Sequence, residues 1–74
     1  MTKEEFLVRV AEILDTEGVT PATRFRETDG WCSLQAFGLL VFLENECSTP
    51  VTIERFMTFE TVADLMREAS VSVG

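Results

Sequence analysis

Apolar residues recur at intervals of three and four in three segments of this chain, and no segment alternates between apolar and polar residues as a strand does. That spacing places side chains on one face of an α-helix. The residues are Phe6, Val10, Ile13 and Leu14 in the first segment, Ala36, Leu39, Leu40, Leu43 and Cys47 in the second, and Val62, Leu65, Met66 and Ala69 in the third. The chain has only 74 residues, close to the lower limit for a self-sufficient core. The sequence therefore predicts an all-α fold with one domain over residues 1–74.

Residues that start or stop helices set the expected bounds. Thr2 and Glu5 have the spacing of a capping box, and the stretch from Asp15 to Gly18 ends the first helix. We expect a second helix over about 33–46, a short third helix around 53–57 and a fourth from 58–61 to about 69. Residues 70–74 are expected to form a frayed tail. The result is a small four-helix bundle with three main helices and one short one.

The first connection, residues 15–32, is long for so small a domain. Val19 and Phe25 are its only large apolar residues before Trp31. We expect these two side chains to pin the loop onto the core.

Composition and charge exclude several classes of function. Thirteen acidic residues against six basic ones give a net charge of −7, which argues against nucleic acid or an anionic membrane as partner, because both require basic patches. The chain has no histidine, so the usual general base and the usual metal ligand are missing. The longest apolar run, residues 36–43, is too short to cross a bilayer. We expect no catalytic residues, no metal site and no membrane insertion.

Cys32 and Cys47 are the two cysteines of the chain. If a single helix connects them, they lie about 22 Å apart at ~1.5 Å per residue, beyond the Cα separation of about 7 Å that a disulfide spans. Unpaired thiols are typical of a reducing compartment, and the acidic, polar start of the chain is unlike a signal peptide. We therefore expect a cytoplasmic protein.

The predicted second helix is apolar on its outer face as well as its inner face. That outer face carries Leu34, Phe37 and Val41, together with Gly38, Glu44 and Asn45. A bundle of this size has too few elements to enclose such a helix, so these side chains are either covered by the long loop or offered to a partner. For Phe37, cover by the loop and contact with a partner are equally favoured, whereas for Leu34 and Val41 contact with a partner is favoured.

Ser33 stands at the head of the second helix, directly after the turn at Asp29-Gly30. A helix N-terminus presents free N–H groups and the positive end of a dipole, which together favour a phosphate. Serine is also a common helix cap. The hydroxyl of Ser33 is therefore a cap or an attachment point for a phosphorylated group, and both can hold, because a modified serine can still start its helix.

Four stretches, in this order along the chain, carry a family resemblance. Val19, Pro21 and Phe25 are similar to a loop that precedes a modified serine, and Gly30-Trp31-Cys32-Ser33-Leu34 is similar to a Gly-Trp-Asp-Ser-Leu attachment motif. Leu39, Leu40, Leu43, Glu44 and Glu46 match second-helix leucines and trailing acids, and Thr61-Val62-Ala63-Asp64-Leu65 matches the opening of a last helix. Over nearly its whole length the chain resembles the acyl carrier protein family.

The resemblance implies that Ser33 accepts 4′-phosphopantetheine from coenzyme A and that the thiol of this arm carries an acyl or aminoacyl group as a thioester. The implied partners are a phosphopantetheinyl transferase, a loading ligase and downstream synthase or transferase enzymes of fatty-acid, polyketide or specialised lipid biosynthesis. Leu34, Phe37, Val41 and Glu44 are the implied recognition residues. A carrier of this kind is a monomer and not itself an enzyme. The resemblance also implies a cleft for an acyl chain between the second and third helices.

Two departures from the family pattern keep alternatives open. Cys32 replaces the usual Asp before the serine, and Gly38 replaces the usual acid five residues after it. Docking is therefore expected to depend more on apolar contact than on charge. The main alternative is a carrier-like domain that is no longer modified and acts as a protein–protein adaptor through Leu34, Phe37 and Val41. A third alternative is a small thiol enzyme that uses Cys32.

Overall fold

Four α-helices and one 3₁₀ turn make up the regular structure of the chain, in a computed structural model that describes residues 1–74. The elements are α1 (Lys3–Leu14), a 3₁₀ turn (Phe25–Glu27), α2 (Ser33–Asn45), α3 (Ile53–Phe56) and α4 (Val62–Glu68). There is no strand, and a single bridge joins Arg24 to Thr61. The predicted all-α fold, with a long first loop and a short third helix, is confirmed.

Side-chain caps begin the helices where the sequence indicates. The Thr2 N–H donates to Glu5 Oε1 at 2.9 Å, and the Glu5 N–H donates to Thr2 Oγ1 at 3.1 Å. These two bonds complete the predicted capping box and satisfy N–H groups that α1 leaves free. Thr52 caps α3 in a similar way, by accepting a hydrogen bond from the Arg55 N–H at 3.1 Å.

The long first loop is tied to the head of α4. The Val62 N–H donates to the Thr23 carbonyl at 3.0 Å, and the Ala63 N–H donates to the Pro21 carbonyl at 2.8 Å. The first N–H groups of a helix have no partner inside the helix, so the loop supplies their acceptors. Phe25 is fully buried and Val19 is half-buried against the core. The expectation that these two side chains pin the loop is confirmed.

The core draws on every helix and on the first loop. Phe6 of α1 packs edge-on against Phe42 of α2, with the ring centroids 5.1 Å apart. All fourteen buried residues of the chain are hydrophobic. The core cluster consists of Phe6, Val10, Leu14, Phe25, Leu39, Phe42, Leu43, Phe56, Phe59, Val62, Leu65, Met66 and Val71.

The orientation of α2 differs from the sequence prediction. Phe42 is buried together with Leu39 and Leu43, although it is absent from the predicted inner face. Three members of that predicted face are only half-buried, namely Ala36, Leu40 and Cys47. The buried face is thus rotated toward Phe42, because a helix that is apolar on almost every side has no preferred direction in its sequence pattern.

Gly38 explains part of this rotation. The sequence analysis places it on the outer face of α2, and this is wrong: Gly38 is half-buried against α1. A Cβ added to Gly38 would meet Ile13 Cγ2 at 2.9 Å. The absence of a side chain at this position therefore lets α1 approach α2 closely.

The C-terminal tail is partly ordered by the core. Val71 is buried, and its N–H donates to the Met66 carbonyl at 2.8 Å. The predicted frayed tail over residues 70–74 is therefore wrong at Val71. Val73 is also partly buried against the core, so two apolar side chains beyond the end of α4 hold this segment.

Candidate functional site

Ser33 is the first residue of α2 and lies in solvent. The preceding turn is closed by the Trp31 N–H, which donates to the Thr28 carbonyl at 3.2 Å. Gly30 in this turn has φ +79°, a left-handed conformation that glycine adopts without strain. The turn thus brings the chain into the helix with the Ser33 side chain outside.

The hydroxyl of Ser33 has no hydrogen-bond partner within the chain, and neither do the backbone N–H groups of Ser33 and Leu34. The first N–H that α2 satisfies internally is that of Gln35, which donates to the Cys32 carbonyl at 3.1 Å. Free N–H groups at the positive end of a helix favour a negatively charged group there. The head of α2 therefore combines a free hydroxyl with donors suited to a phosphate.

Cys32, and not Ser33, is the N-cap of α2. The Cys32 N–H donates to Gln35 Oε1 at 3.0 Å, and the Cys32 thiol lies against the same oxygen. Gln35 thus supplies the reciprocal part of a capping box. The interpretation of Ser33 as a simple helix cap is wrong, because its neighbour fills that position.

Large apolar side chains surround Ser33 on the surface. Leu34 is 72% exposed and Phe37 is 64% exposed, so the long loop covers neither of them. On the facing helix α3, Ile53 and the adjoining Met57 are 68% and 63% exposed. Exposed groups of large apolar side chains are typical of contact surfaces in small proteins.

A cleft of about 540 Å³ opens between α2 and α3, with Ser33 on its rim. Trp31 and Arg26 from the first loop close one part of it, and Trp31 is fixed by its tilted contact with Phe25 at a centroid distance of 5.6 Å. The lining residues are Arg26, Trp31, Cys32, Ser33, Ala36, Phe37, Leu40, Ile53, Phe56 and Met57. These residues include no carboxylate and no histidine, so the cleft suits an apolar group and offers no general base.

A second cleft of about 410 Å³ continues along the same groove. It shares Phe37, Leu40 and Ile53 with the first cleft and extends to Val41 and Glu44. Val41 is half-buried in this wall, whereas Glu44 is exposed at its edge. The structure therefore brings Ser33, Leu34, Phe37, Val41 and Glu44 to one side of α2, but Val41 presents less surface than the sequence suggests.

Glu46, the second acid at the end of α2, is already engaged. Its carboxylate accepts from Arg9 Nε at 2.9 Å and from an Arg9 terminal nitrogen at 2.5 Å, which lowers the pKa of Glu46. Glu44 has no such partner. The acid without an ion-pair partner at this end of α2 is therefore Glu44.

Sequence reasoning placed Met57 either in the core or on the rim of a cleft between the second and third helices, and the structure places it on the rim; it missed the contribution of Arg26 and Ile53 to this site. Ile53 and Met57 are four residues apart in a segment where only Phe56 is buried, a spacing that places them on the open face of a short helix. Arg26 gave no signal in the sequence, because it follows Phe25 in a loop and its partners are backbone carbonyls more than 25 residues away.

The two thiols differ in environment and are not paired with each other. Cys32 is exposed on the rim of the cleft, and Cys47 is half-buried. Partial burial raises the pKa of the Cys47 thiol, and the negative charge of Glu46 raises it further. The chain has no histidine that could act as a base for either thiol.

No group of three or more Cys, Asp or Glu side chains is arranged to hold a metal ion. None of the helices has the length and apolar character needed to span a bilayer. Comparison of the chain with protein-family models, with curated proteins and with solved structures found no match.

Proposed function

We propose that this chain is a carrier protein of the acyl carrier type, which holds an acyl or aminoacyl group on a 4′-phosphopantetheine arm attached to Ser33. A phosphopantetheinyl transferase would catalyse the attachment, in which Ser33 Oγ loses its proton and forms a phosphodiester to the pantetheine half of coenzyme A while the nucleotide half leaves. The arm supplies a terminal thiol that carries the cargo as a thioester. Tethering raises the effective concentration of that cargo at each partner enzyme.

The free hydroxyl of Ser33 is the observation that carries this proposal. It lies in solvent at the head of α2, it has no partner, and Cys32 fills the capping position that would otherwise account for it. The unpartnered N–H groups of Ser33 and Leu34 suit the phosphate of the arm. The chain itself needs no general base, because the transferase provides the catalysis.

The cleft and the exposed apolar side chains support the same function. The cleft begins at Ser33 and has an apolar lining, so a group tethered to Ser33 can shelter in it. Leu34 and Phe37 lie beside Ser33 on the surface, where an enzyme that acts on the arm has to dock. Apolar contact is the larger source of binding energy there, because Glu44 is the one acid of this edge without a basic partner.

A protein–protein adaptor without an arm is the second candidate. The exposed apolar side chains of α2 and α3 favour it, since they would serve a partner equally well if Ser33 were never modified. The replacement of the family's usual aspartate by Cys32 points in the same direction, because that carboxylate helps position the transferase.

Modification by a broad-specificity phosphopantetheinyl transferase separates the two candidates. The purified chain is incubated with coenzyme A, Mg²⁺ and the transferase, and its intact mass is measured. We expect the mass to rise by one phosphopantetheinyl group. Ser33→Ala is expected to abolish the gain, and Ser72→Ala, the same change at an exposed serine outside any helix, is the matched control.

Each outcome assigns one of the candidates. A gain in the native chain and in Ser72→Ala, but not in Ser33→Ala, supports the carrier. Absence of any gain, with a control carrier protein modified in the same reaction, refutes the carrier and leaves the adaptor. A gain that persists in Ser33→Ala refutes the assignment of the site to Ser33.

A further inference from the structure

Arg26 is held differently from the other arginines of the chain. Arg9, Arg24, Arg55 and Arg67 each form an ion pair with a carboxylate, whereas Arg26 forms none. It is instead half-buried in the wall of the cleft beside Ser33. Contacts other than a surface ion pair must therefore hold the Arg26 side chain in this position.

The partners of Arg26 are two rings and two backbone carbonyls. Its guanidinium carbon lies 4.9 Å from the centroid of the Phe25 ring and 5.3 Å from that of Phe56, within the range of cation–π attraction. One terminal nitrogen donates to the Phe56 carbonyl at 2.9 Å, and the other donates to the Phe59 carbonyl. Phe59 is buried, and its carbonyl accepts no other hydrogen bond within the chain. The planar fork of arginine thus joins the first loop to the end of α3.

Helix α3 depends on such outside contacts. It has only four residues, and a helix of that length is not stable alone. Phe56 is its one buried side chain, while Ile53 is largely exposed. The C-terminal end of α3 is therefore held by the Phe56 ring, by Arg26, which binds the carbonyl of the same residue, and by the ion pair of the exposed Arg55 with Glu68 of α4.

We propose that Arg26 is a positioning residue that clamps the end of α3 to the first loop and thereby sets the opening of the cleft beside Ser33. Ala36 and Leu40 of α2 form one side of this cleft, and Phe56 and the adjoining Met57 form the other. When the clamp is lost, α3 separates from α2 and the cleft widens. The clamp stands independently of the carrier function, whereas its use in admitting a tethered group rests on the function proposed above.

Amide hydrogen exchange tests whether Arg26 holds α3. Arg26→Met keeps an unbranched apolar stem and removes all five donors. Arg67→Met is the matched control, because Arg67 is exposed and donates only to Asp64 of its own helix. We expect the Met57 and Phe59 amides, which close α3 and the turn after it, to exchange about tenfold faster in Arg26→Met relative to the Val10 amide. Arg67→Met should change this ratio by less than about twofold.

Thiol labelling tests whether the clamp controls the cleft. Leu40→Cys, in a chain that also carries Cys32→Ser and Cys47→Ala, introduces one thiol at a half-buried position shared by both clefts. Its rate of reaction with N-ethylmaleimide reports how often the cleft opens. We expect this rate to rise about tenfold when Arg26→Met is added and to stay unchanged when Arg67→Met is added.

Three results would decide against parts of this reasoning. Equal acceleration of the α3 and Val10 amides would show that Arg26 contributes only to global stability, and the proposal would fail. An unchanged labelling rate at position 40 would show that Arg26 does not control the opening of the cleft.

If Arg26→Met does not fold, Arg26→Lys is used instead, because lysine keeps the charge but lacks the planar fork that reaches two carbonyls. Failure of Ser33 to accept an arm would refute the carrier function and leave both measurements valid.

Discussion

Gly38 offers a sharp test of how α1 and α2 pack. An alanine Cβ at this position would lie 2.9 Å from Ile13 Cγ2, whereas apolar carbons in contact are usually about 3.5–4.0 Å apart. Gly38→Ala therefore has two opposing effects. It improves helix propensity by about 1 kcal/mol, and it overpacks the helix crossing at a cost of about 1–3 kcal/mol. We expect the free energy of unfolding to fall by about 0–2 kcal/mol in the native background.

A double-mutant cycle isolates the steric part. Ile13→Ala removes the methyl group that the new Cβ would meet, so Gly38→Ala should then stabilise the protein by about 1 kcal/mol through helix propensity alone. The coupling between the two changes is therefore about 1–3 kcal/mol. A chain of this size has a stability of about 4–11 kcal/mol, so each single variant is expected to remain folded.

Urea unfolding of the four proteins measures this coupling. Far-UV circular dichroism follows the helices, and the fluorescence of Trp31, the single tryptophan, follows the packing of the first loop. The expected result is a change of sign: Gly38→Ala is neutral or destabilising with Ile13 present and stabilising without it. Stabilisation by the same amount in both backgrounds would refute the close approach of α1 to α2 at this point.

Two further predictions concern the docking surface and the head of α4. Leu34→Glu should lower kcat/KM for modification by the transferase at least about tenfold, because burial of a leucine side chain in an interface contributes about 1.5–3 kcal/mol. Glu44→Gln should lower kcat/KM by less than about fivefold. A larger effect of Glu44→Gln, or a steep loss with added salt, would contradict apolar docking. Asp64 accepts hydrogen bonds from the Glu60 and Thr61 N–H groups, and these bonds lower the pKa of its carboxyl group. The ionised carboxylate therefore contributes about 1 kcal/mol to the free energy of unfolding. This contribution is present above the unfolded pKa near 3.8 and is lost as the pH falls through the lower pKa of the folded state. Urea unfolding should therefore show Asp64→Asn to be destabilising at neutral pH and nearly neutral in acid; an equal loss at both pH values would contradict this account.

Local signals in the sequence were sufficient to predict the helices. The capping box of Thr2 and Glu5, the break at Ser48-Thr49-Pro50 and the regular spacing of apolar residues depend on neighbours within a few positions, so they can be read without knowledge of the fold. The exposure of Ser33 followed from the same local rules, because a helix begins directly after the turn at Gly30. For Leu34 the sequence only favoured exposure to a partner over cover by the long loop, and the structure leaves it exposed. The function at Ser33 stays a prediction.

The direction in which each helix faces could not be predicted in the same way. A helix with Leu34, Phe37, Val41 and Phe42 on different sides has no single apolar stripe, so its buried face is chosen by the neighbours that cover it. The tertiary structure buried Phe42 against Phe6 and left Phe37 in solvent. The buried face of α2 is set in part by the close approach of α1 at Gly38, which cannot be predicted from the spacing of apolar residues.

The sequence by itself determined that this chain forms helices, approximately where they begin and end, and that a serine stands at the head of the second. Only the tertiary structure decided that the first loop caps α4 through Pro21 and Thr23, that Val71 docks the tail, and that Arg26 reaches the carbonyls of Phe56 and Phe59. The physical reason is the range of the interactions. Helix formation depends on hydrogen bonds four residues apart, whereas Arg26 reaches backbone carbonyls 30 and 33 residues away in the sequence.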